Sequence, residues 1–432
     1  MPHIVYVAVQ TPAHSAVGDL LSYVSDAWLE PGSLARVPLG KRELLGVVWD
    51  TPAAPEAIPD GVELRSIAGL LQGIEPLNQA WRRLVAFAAH YYQRSLGEIA
   101  VTALPPQLRD MSPEQLARRL TPPKTAKTPA GKRKKAQVAE AAQASTETMA
   151  HTPDASNATP LLALSAEQSS VFEQIEQNPG PFLLYGSTGS GKTEVYLRAV
   201  QAVLDANPEA QALVMVPEIN LTPQLEERFV ARFVPQYGKD AVVSMHSGMT
   251  NPQRLKSWLA AHTGRARIVL GTRMAIFASV PQLALIVVDE EHDASYKQQE
   301  GARYSARDLA VWRAHQASVP VILGSATPSL ESWQHAQDGR YRLIELTRRA
   351  TGASLPEVRL IDIRRLPLED GLSPPARQAL VSARQRGEIS MVFVNRRGYA
   401  PALACTDCGW IAGCPHCAVK LVLHLRERRL RC

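Results

Sequence analysis

The feature that most constrains this chain is the stretch of residues 186–193, which reads G-S-T-G-S-G-K-T. It fits the pattern G-x-x-x-x-G-K-[S/T], follows a short apolar run and precedes a segment compatible with a helix. The glycines let the backbone curl closely around an anion, and the N-terminus of a helix directs free N–H groups at it. The sequence therefore predicts a buried strand, a phosphate-binding loop and a helix in succession.

Residue types within and just before this loop indicate a nucleoside triphosphate bound with Mg²⁺. We predict that Lys192 reaches the β- and γ-phosphates and that Thr193 offers its hydroxyl to Mg²⁺. The other residues predicted to bind the nucleotide are Gly186, Ser187, Thr188, Gly189, Ser190 and Gly191. Upstream, Gln168 fits two roles that the sequence leaves open: a capping box with Ser165 at a helix start, or a hydrogen bond to an adenine edge.

Short apolar runs alternate with polar stretches of helix length over the same region. The runs are residues 182–185, 212–216, 241–243, 268–270, 283–288 and 319–323. Strands that alternate with helices predict an α/β fold with a doubly wound parallel sheet, whose ligand-binding loops gather at the carboxyl ends of the strands.

Two polar motifs follow strands of this predicted sheet. The first reads D-E-E-H, in which Asp289 is placed to bind Mg²⁺, Glu290 to polarise the attacking water, and His292 to relay the state of the γ-phosphate. The second reads G-S-A-T-P, in which Ser325 and Thr327 are placed to hydrogen-bond the catalytic acids and a DNA-contacting element. We therefore predict Lys192, Asp289 and Glu290 as catalytic residues.

Aromatic and basic residues interleave around a glycine in residues 296–304, Y-K-Q-Q-E-G-A-R-Y. A loop that stacks bases on Tyr296 and Tyr304 and neutralises phosphates with Lys297 and Arg303 has this composition. An ordinary polar surface loop is the alternative.

All 5 cysteines lie near the end of the chain, at Cys405, Cys408, Cys414, Cys417 and Cys432. Their C-x-x-C spacing indicates a zinc site in a reducing cytosol rather than a disulfide scaffold. Spacing alone favours one Zn²⁺ held by the first four, although only five residues separate the two pairs. Reduced thiols without metal are the alternative.

The rest of the chain divides by composition. Residues 1–105 read as a small β-rich module with strands at 4–9, 34–37 and 44–49 and a helix at 79–92, and residues 106–160 as a basic, then Ala/Gln/Ser/Thr-rich flexible linker. We place the nucleotide-binding domain at 161–350 and a last segment at 351–432. No apolar run is long enough for a membrane span and no secretory signal is visible, so we expect a cytoplasmic protein.

Read in order, the motifs G-S-T-G-S-G-K-T, M-H-S-G, G-T-R-M-A-I-F, D-E-E-H-D and G-S-A-T-P resemble those of superfamily 2 DNA helicases, which have RecA-like domains. The strings D-E-E-H-D-A-S-Y-K-Q-Q-E-G-A-R-Y, V-F-V-N-R-R-G-Y and C-G-W-I-A-G-C-P-H-C are similar more narrowly to the PriA family of replication-restart helicases.

This resemblance implies 3′-to-5′ unwinding of DNA with ATP, recognition of stalled or repaired forks, and primosome assembly. Its implied partners are forked or single-stranded DNA, single-stranded DNA-binding protein and other primosome proteins. It places Gln168 on adenine, Arg273 in a DNA-facing or coupling motif, and Lys41, in the string V-P-L-G-K, in an N-terminal DNA-binding domain. Residues 296–304 would be the family's aromatic-rich loop between DNA and the ATP site.

The resemblance also implies two zinc sites with nested pairs, in which Cys414, Cys417 and Cys432 share one ion and Cys405 and Cys408 wait for a pair further along. Both sites would be incomplete in this chain, with His416 or His424 as substitute ligands.

Three departures from the family pattern set limits on these expectations. The string at Leu21 lacks the acidic residue expected in the pocket for a 3′ DNA end, and the winged-helix module between the N-terminal and ATPase domains is reduced or absent. The strand predicted at 392–394 would begin a second RecA-like lobe, of which the chain carries only the start. We expect a truncated sequence that binds ATP but hydrolyses it poorly. A DNA-binding primosome scaffold is the alternative function, and an RNA translocase a third that the paired cysteines disfavour.

Overall fold

The computed structural model describes residues 2–11, 18–52, 63–111, 115–116, 163–217, 223–348, 357–393, 402–405, 407–417, 419–424 and 429–432. These residues form two compact units, Met1–Ala353 and Ser354–Cys432. No helix in the described part of the chain is both long enough and apolar enough to cross a membrane.

The first unit begins with a five-stranded antiparallel sheet in the order β2-β1-β4-β3-β5. Its strands are β1 (His3–Val9), β2 (Leu21–Ser25), β3 (Leu34–Leu39), β4 (Arg42–Trp49) and β5 (Gly69–Leu70). A two-residue turn at Gly40 and Lys41 joins β3 to β4, with Gly40 in the left-handed region at φ +63°. The three predicted strands are confirmed, and β2 and β5 were not predicted.

Three helices follow this sheet: α1 (Gln79–Tyr91), α2 (Leu96–Thr102) and α3 (Pro106–Asp110). Helix α3 lies beyond the boundary that we predicted at residue 105, because Leu108 is fully buried in the same core as Leu104. The ordered module therefore extends into the start of the range predicted as linker. Residues 117–160 of that range lie outside the described residues.

The nucleotide-binding domain contains seven parallel strands in the order β12-β6-β11-β10-β7-β9-β8. These strands are β6 (Phe182–Gly186), β7 (Gln211–Met215), β8 (Val242–Met245), β9 (Ile268–Gly271), β10 (Leu283–Val288), β11 (Val321–Ser325) and β12 (Arg342–Leu346). The predicted doubly wound parallel sheet is confirmed.

Both faces of this sheet are covered, since successive residues of β6 such as Leu183 and Leu184 enter different hydrophobic clusters. The covering helices are α4 (Ala166–Glu176), α5 (Lys192–Ala206), α6 (Pro223–Tyr237), α7 (Asn251–His262), α8 (Ala306–Ala317) and α9 (Leu330–Gln337), with 3₁₀ turns at Arg273–Phe277 and Ala294–Tyr296.

The N-terminal module packs directly on this domain. The Trp81 indole N–H donates to the Phe277 carbonyl at 2.8 Å, and the Phe87 and Trp312 rings stack at 4.2 Å. His262 joins the two parts, with Nε2 2.9 Å from the Glu75 carbonyl oxygen. Residues that we assigned to separate domains on either side of a linker thus form one compact unit.

The second unit contains helix α10 (Pro374–Gln385) and a ribbon of β13 (Val422–His424) with β14 (Arg429–Arg431). The strand predicted at 392–394 is not seen where the structure describes it: Val392 and Phe393 are exposed and belong to no strand, and Val394 lies outside the described residues. Exposed apolar residues make no ladder here, because a strand forms against a neighbour that buries one of its faces.

Candidate functional site

The phosphate-binding loop lies between β6 and α5, as predicted. Gly189 and Gly191 have φ of +85° and +89°, a region that side chains disfavour. Gly191 is also the N-cap of α5 and supplies no side-chain cap, so the first N–H groups of the helix stay available to an anion. Gly186 is needed for close packing, since a Cβ there would lie 2.7 Å from the Ser190 hydroxyl.

The loop side chains are arranged for an anionic ligand. Lys192 is buried, and its ammonium donates to the Gly186 carbonyl at 2.8 Å. The hydroxyls of Ser187 and Ser190 are buried and have no hydrogen-bond partner among the described residues. Buried hydroxyls are normally bonded, so two orphaned ones beside a free helix N-terminus fit a phosphate group. Thr193, in the first turn of α5, is half-buried.

Gln168 forms the capping box that the sequence offered as one of its two roles. The Ser165 hydroxyl accepts from the Gln168 N–H at 3.2 Å, and the Gln168 side chain accepts from the Ser165 N–H at 2.9 Å. Its amide nitrogen also donates to the Ser190 carbonyl at 3.3 Å, which ties the start of α4 to the phosphate loop. The adenine contact stays a prediction.

Asp289 directly follows β10, close to the loop, and is held by a residue that sequence reasoning missed. The buried Tyr196 hydroxyl donates to Asp289 Oδ1 at 3.0 Å. Burial and the neighbouring Glu290 raise the pKa of Asp289, while the Tyr196 hydrogen bond and the Lys192 ammonium oppose the rise. A Cβ on Gly324 would lie 1.6 Å from the Tyr196 hydroxyl. Gly324, which precedes S-A-T, was the sequence signal that could have indicated this close approach.

Glu290 and His292 of D-E-E-H come together with Ser325 and Thr327 of G-S-A-T-P where β10 and β11 end. His292 Nδ1 lies 2.8 Å from the Ser325 hydroxyl and 3.7 Å from a Glu290 carboxylate oxygen. Its Nε2 lies 3.4 Å from the Thr327 hydroxyl. Glu290 has φ +44°, an uncommon conformation outside glycine, which turns the chain sharply after β10. The catalytic and coupling roles of these side chains stay predictions.

Glu291 has a structural role that sequence reasoning missed. Its side chain is fully buried and accepts hydrogen bonds from the Ser329 N–H at 2.6 Å, the Ser332 hydroxyl at 2.9 Å and Arg307 at 3.2 Å. It therefore joins the acidic motif to the start of α9, which follows S-A-T-P. Ser329 and Ser332, which follow S-A-T-P, were the sequence signal for this contact.

The aromatic rings of residues 296–304 point inward, which corrects the prediction that they stack bases. Tyr296 is 2% exposed and donates to the Asp289 carbonyl at 2.7 Å, and Tyr304 packs edge-on against Phe277 at 5.0 Å. Burial of the rings and the hydrogen bond stabilise this arrangement. Lys297 and Arg303 are exposed, as phosphate contacts require.

Two further basic residues that we predicted to contact DNA differ in their hydrogen bonding and exposure. Arg273 donates to the Ser295 carbonyl at 2.7 Å and to the Lys297 carbonyl at 3.3 Å, so it supports the loop backbone, as a coupling residue would. Lys41 is exposed at the tip of the β3–β4 turn.

In the second unit, Cys414, Cys417 and Cys432 gather with their sulfur atoms within 4.8 Å of one another. Three thiolates at this spacing fit Zn²⁺, which prefers four tetrahedral ligands with sulfur among them. This grouping corrects the single site of four cysteines that spacing favoured, since neither Cys405 nor Cys408 belongs to it among the described residues. It agrees with the nested pairing that the resemblance implies.

Comparison with known proteins agrees with this geometry. Residues 165–335 match the DEAD/DEAH box helicase family, and residues 6–105 match the PriA 3'DNA-binding domain (3'BD). The chain is similar to the replication restart protein PriA of Haemophilus influenzae, at 34% identity over 94% of this chain and 60% of that protein. It is 42% identical to that of Bacillus subtilis over 63% of this chain and 34% of that protein.

The chain thus spans between about a third and three fifths of the length of these relatives. The DEAD/DEAH match covers the phosphate loop, the acidic motif and S-A-T, and the 3'DNA-binding match covers the five-stranded sheet with α1 and α2. The chain thus matches a DEAD/DEAH box helicase domain and a PriA 3'DNA-binding domain, and over 94% of its length it is similar to a replication restart protein PriA.

Proposed function

We propose that the chain is the DNA-binding and first ATPase part of an ATP-dependent 3′-to-5′ DNA helicase that recognises stalled or repaired replication forks and initiates primosome assembly. The observation that carries the proposal is the proximity of Lys192 and Glu290 to Asp289 where β10 ends, with Tyr296 connecting Asp289 to a basic surface loop. The matched 3'DNA-binding domain and the name of the relatives support DNA as the partner and replication restart as the process.

The residues of the loop and of β10 divide the work of nucleotide hydrolysis. Lys192 would exchange its bond to the Gly186 carbonyl for the phosphates, and Thr193 and Asp289 would hold Mg²⁺. When bound, Mg²⁺ supplies charge neutralisation on the phosphates. Glu290 would orient the attacking water, while Tyr196 fixes the carboxylate of Asp289.

His292 is proposed to report the state of this site. It contacts Ser325 and Thr327 and lies near Glu290, so a shift of Glu290 would move the loop after β11. Tyr296 and Arg273 would carry the signal to the loop with Lys297 and Arg303, whose charges suit the phosphates of single-stranded DNA.

The remaining proposals concern forked DNA, zinc and protein partners. Lys41, at the turn of the N-terminal sheet, would contact forked DNA. Cys414, Cys417 and Cys432 would bind Zn²⁺, with Cys405 and Cys408 reserved for a second ion. Single-stranded DNA-binding protein and other primosome proteins, in the cytoplasm, would complete the assembly.

ATP turnover with and without forked DNA tests the proposal. We expect DNA to stimulate turnover in the natural chain and Lys192→Ala to reduce it by about 100-fold or more, because a positioned ammonium on the transferring phosphate is lost. Lys239→Ala, which alters an exposed lysine of the same domain, is the matched control. Fork binding with no turnover in any variant would refute helicase activity and favour a DNA-binding primosome scaffold.

A further inference from the structure

The segment of residues 297–305, named here the coupling loop, is hydrogen-bonded to the N-terminal module. Arg94 Nη2 donates to the Gly301 carbonyl at 2.6 Å, and the Ser305 N–H donates to the Tyr92 hydroxyl at 3.0 Å. The Lys297 ammonium lies 5.4 Å from the centre of the Tyr92 ring, within the range of a cation–π contact. Tyr92 and Arg94 lie just after the last residue of α1 and are far from the loop in sequence.

The way in which α1 ends fixes the direction of these two side chains. The Arg94 N–H donates to the Ala89 carbonyl at 2.8 Å and the Gln93 N–H to the His90 carbonyl at 3.3 Å, the paired bonds of a Schellman ending. Gln93 occupies the left-handed position with φ +54°, where glycine is the usual residue. A non-glycine residue in this conformation costs free energy, which the bonds of this ending offset.

A cavity of about 460 Å³ lies beneath the coupling loop. Gln298, Glu300 and Ala302 line it from the loop, and Ile99 and Leu104 line it from the N-terminal module. The inner face of the loop is therefore packed only in part. Tyr304 anchors its end against Phe277, and the position of the middle of the loop depends on a few discrete contacts. Those to Arg94 and Tyr92 come from outside the nucleotide-binding domain.

The other end of the coupling loop connects directly to the ATP site. Tyr296, the residue before it, donates to the Asp289 carbonyl at 2.7 Å. Arg273 donates to the Ser295 and Lys297 carbonyls and holds the same stretch. A displacement of the loop therefore reaches Asp289 through one side chain.

We propose that Tyr92 and Arg94 are positioning residues for ATP hydrolysis. By fixing the coupling loop they keep Tyr296 on the Asp289 carbonyl, and they make the nucleotide site respond to DNA on the N-terminal module. Neither residue touches the nucleotide or the reacting atoms. The inference rests on the proposed function and adds a physical connection between its two domains.

The test compares variants of the full chain by amide hydrogen exchange and by ATP turnover. Tyr92→Phe removes the acceptor of the Ser305 N–H but keeps the ring beside Lys297, and Arg94→Ala removes the donor to Gly301. In each we expect exchange in residues 297–305 to rise about five- to tenfold and kcat to fall about threefold or more, with the KM for ATP unchanged.

Matched variants separate positioning from general loss of structure. Arg94→Lys retains one donor and should restore both readouts. Arg83→Ala and Tyr91→Phe alter an exposed arginine and an exposed tyrosine of the same helix and should leave both unchanged.

Two outcomes would overturn the proposal. One is exchange in residues 297–305 that stays at the level of the natural chain in Arg94→Ala and Tyr92→Phe. The other is faster exchange there with kcat unaltered. If the natural chain shows no ATP turnover, the proposed function has failed. The present inference is then tested by hydrogen exchange at the backbone amides of Glu291 and Asp293, which follow Asp289 in the chain. Faster exchange at those amides in the variants supports it, and unchanged exchange refutes it.

Discussion

At the scale of single residues, the absence of a side chain at Gly324 permits the hydrogen bond from Tyr196 to the Asp289 carboxylate. Tyr196 is buried against β11 and reaches Asp289 only because Gly324 has no Cβ. Burial raises the pKa of Tyr196 well above its usual range, and the nearby carboxylate of Asp289 raises it further. The phenol therefore stays protonated and keeps donating to Asp289 across the physiological pH range.

Gly324→Ala should displace Tyr196 and weaken the ATP site. A Cβ 1.6 Å from the phenol oxygen cannot be accommodated without movement, and overpacking of this kind costs about 1–3 kcal/mol of the free energy of unfolding. We expect a lower urea midpoint and weaker Mg²⁺-dependent ATP binding, measured by titration with a fluorescent analogue. Gly69→Ala, where nothing lies within 4 Å, is the control, and equal behaviour of the two variants would contradict the role of Gly324.

At the scale of secondary-structure elements, Glu291 fixes α9 to the end of β10. Its carboxylate is fully buried and fully bonded, so it has no freedom to act as a base. The acidic run D-E-E thus contains two residues predicted for chemistry and one that maintains the distance between the two strand ends.

Glu291→Gln should lower the free energy of unfolding of the domain without changing its fold. The amide cannot accept from Ser329, Ser332 and Arg307 together, and breaking bonds to a buried charged group costs about 1–3 kcal/mol. The measurement is the urea unfolding midpoint, with Glu331→Gln on the exposed side of α9 as control. An unchanged midpoint would show that the bonds contribute no net stability.

The sequence predicted the elements of the nucleotide site well because strong local signals agree there. The run at 283–288 is apolar throughout, as a strand covered on both faces must be, and its bounds match β10. The inward orientation of Tyr296 and Tyr304 could not be predicted, because an interleaved aromatic loop has the same composition whether its rings face DNA or the core. Contacts from distant residues such as Asp289 and Phe277 decide between the two.

The sequence also could not predict elements whose structure depends on contacts with distant residues. Strand β5 has only two residues and pairs with Ala35 and Arg36, so its strand character comes from β3. The strand at 392–394 was predicted from the family resemblance, and the apolar string itself carries no information about a neighbouring strand. Gln168 gave equal support to two roles, and only the geometry identified the capping box.

At the scale of the whole molecule, His262 connects the N-terminal module to the nucleotide-binding domain. Its ring stacks on Trp258 and contacts both the Ser279 hydroxyl and the Glu75 carbonyl. Burial lowers the pKa of His262, so the folded protein keeps this imidazole neutral at pH values where the unfolded chain binds a proton.

The junction should therefore weaken in mild acid. Because the unfolded chain takes up the proton first, the stabilisation from His262 is complete above its unfolded pKa of about 6.5 and declines as pH falls below that value. We expect the urea midpoint to be lower at pH 5.5 than at pH 7.5, and His262→Gln to reduce this difference. His315→Gln, at an exposed position of α8, is the control, and an equal pH difference in both variants would contradict the assignment.

The position of β6 in the sheet has a consequence for the order in which the chain can fold. Phe182 pairs with Ile322 of β11 on one side and with Arg342 of β12 on the other, and both partners are synthesised long after β6 itself. The strands β7, β8 and β9 can pair with one another much earlier. A ribosome must therefore deliver nearly the whole domain before β6, which carries the phosphate loop, has both of its partner strands. An apolar strand that stays unpaired during synthesis is prone to aggregate, so the strand order lengthens the period of risk.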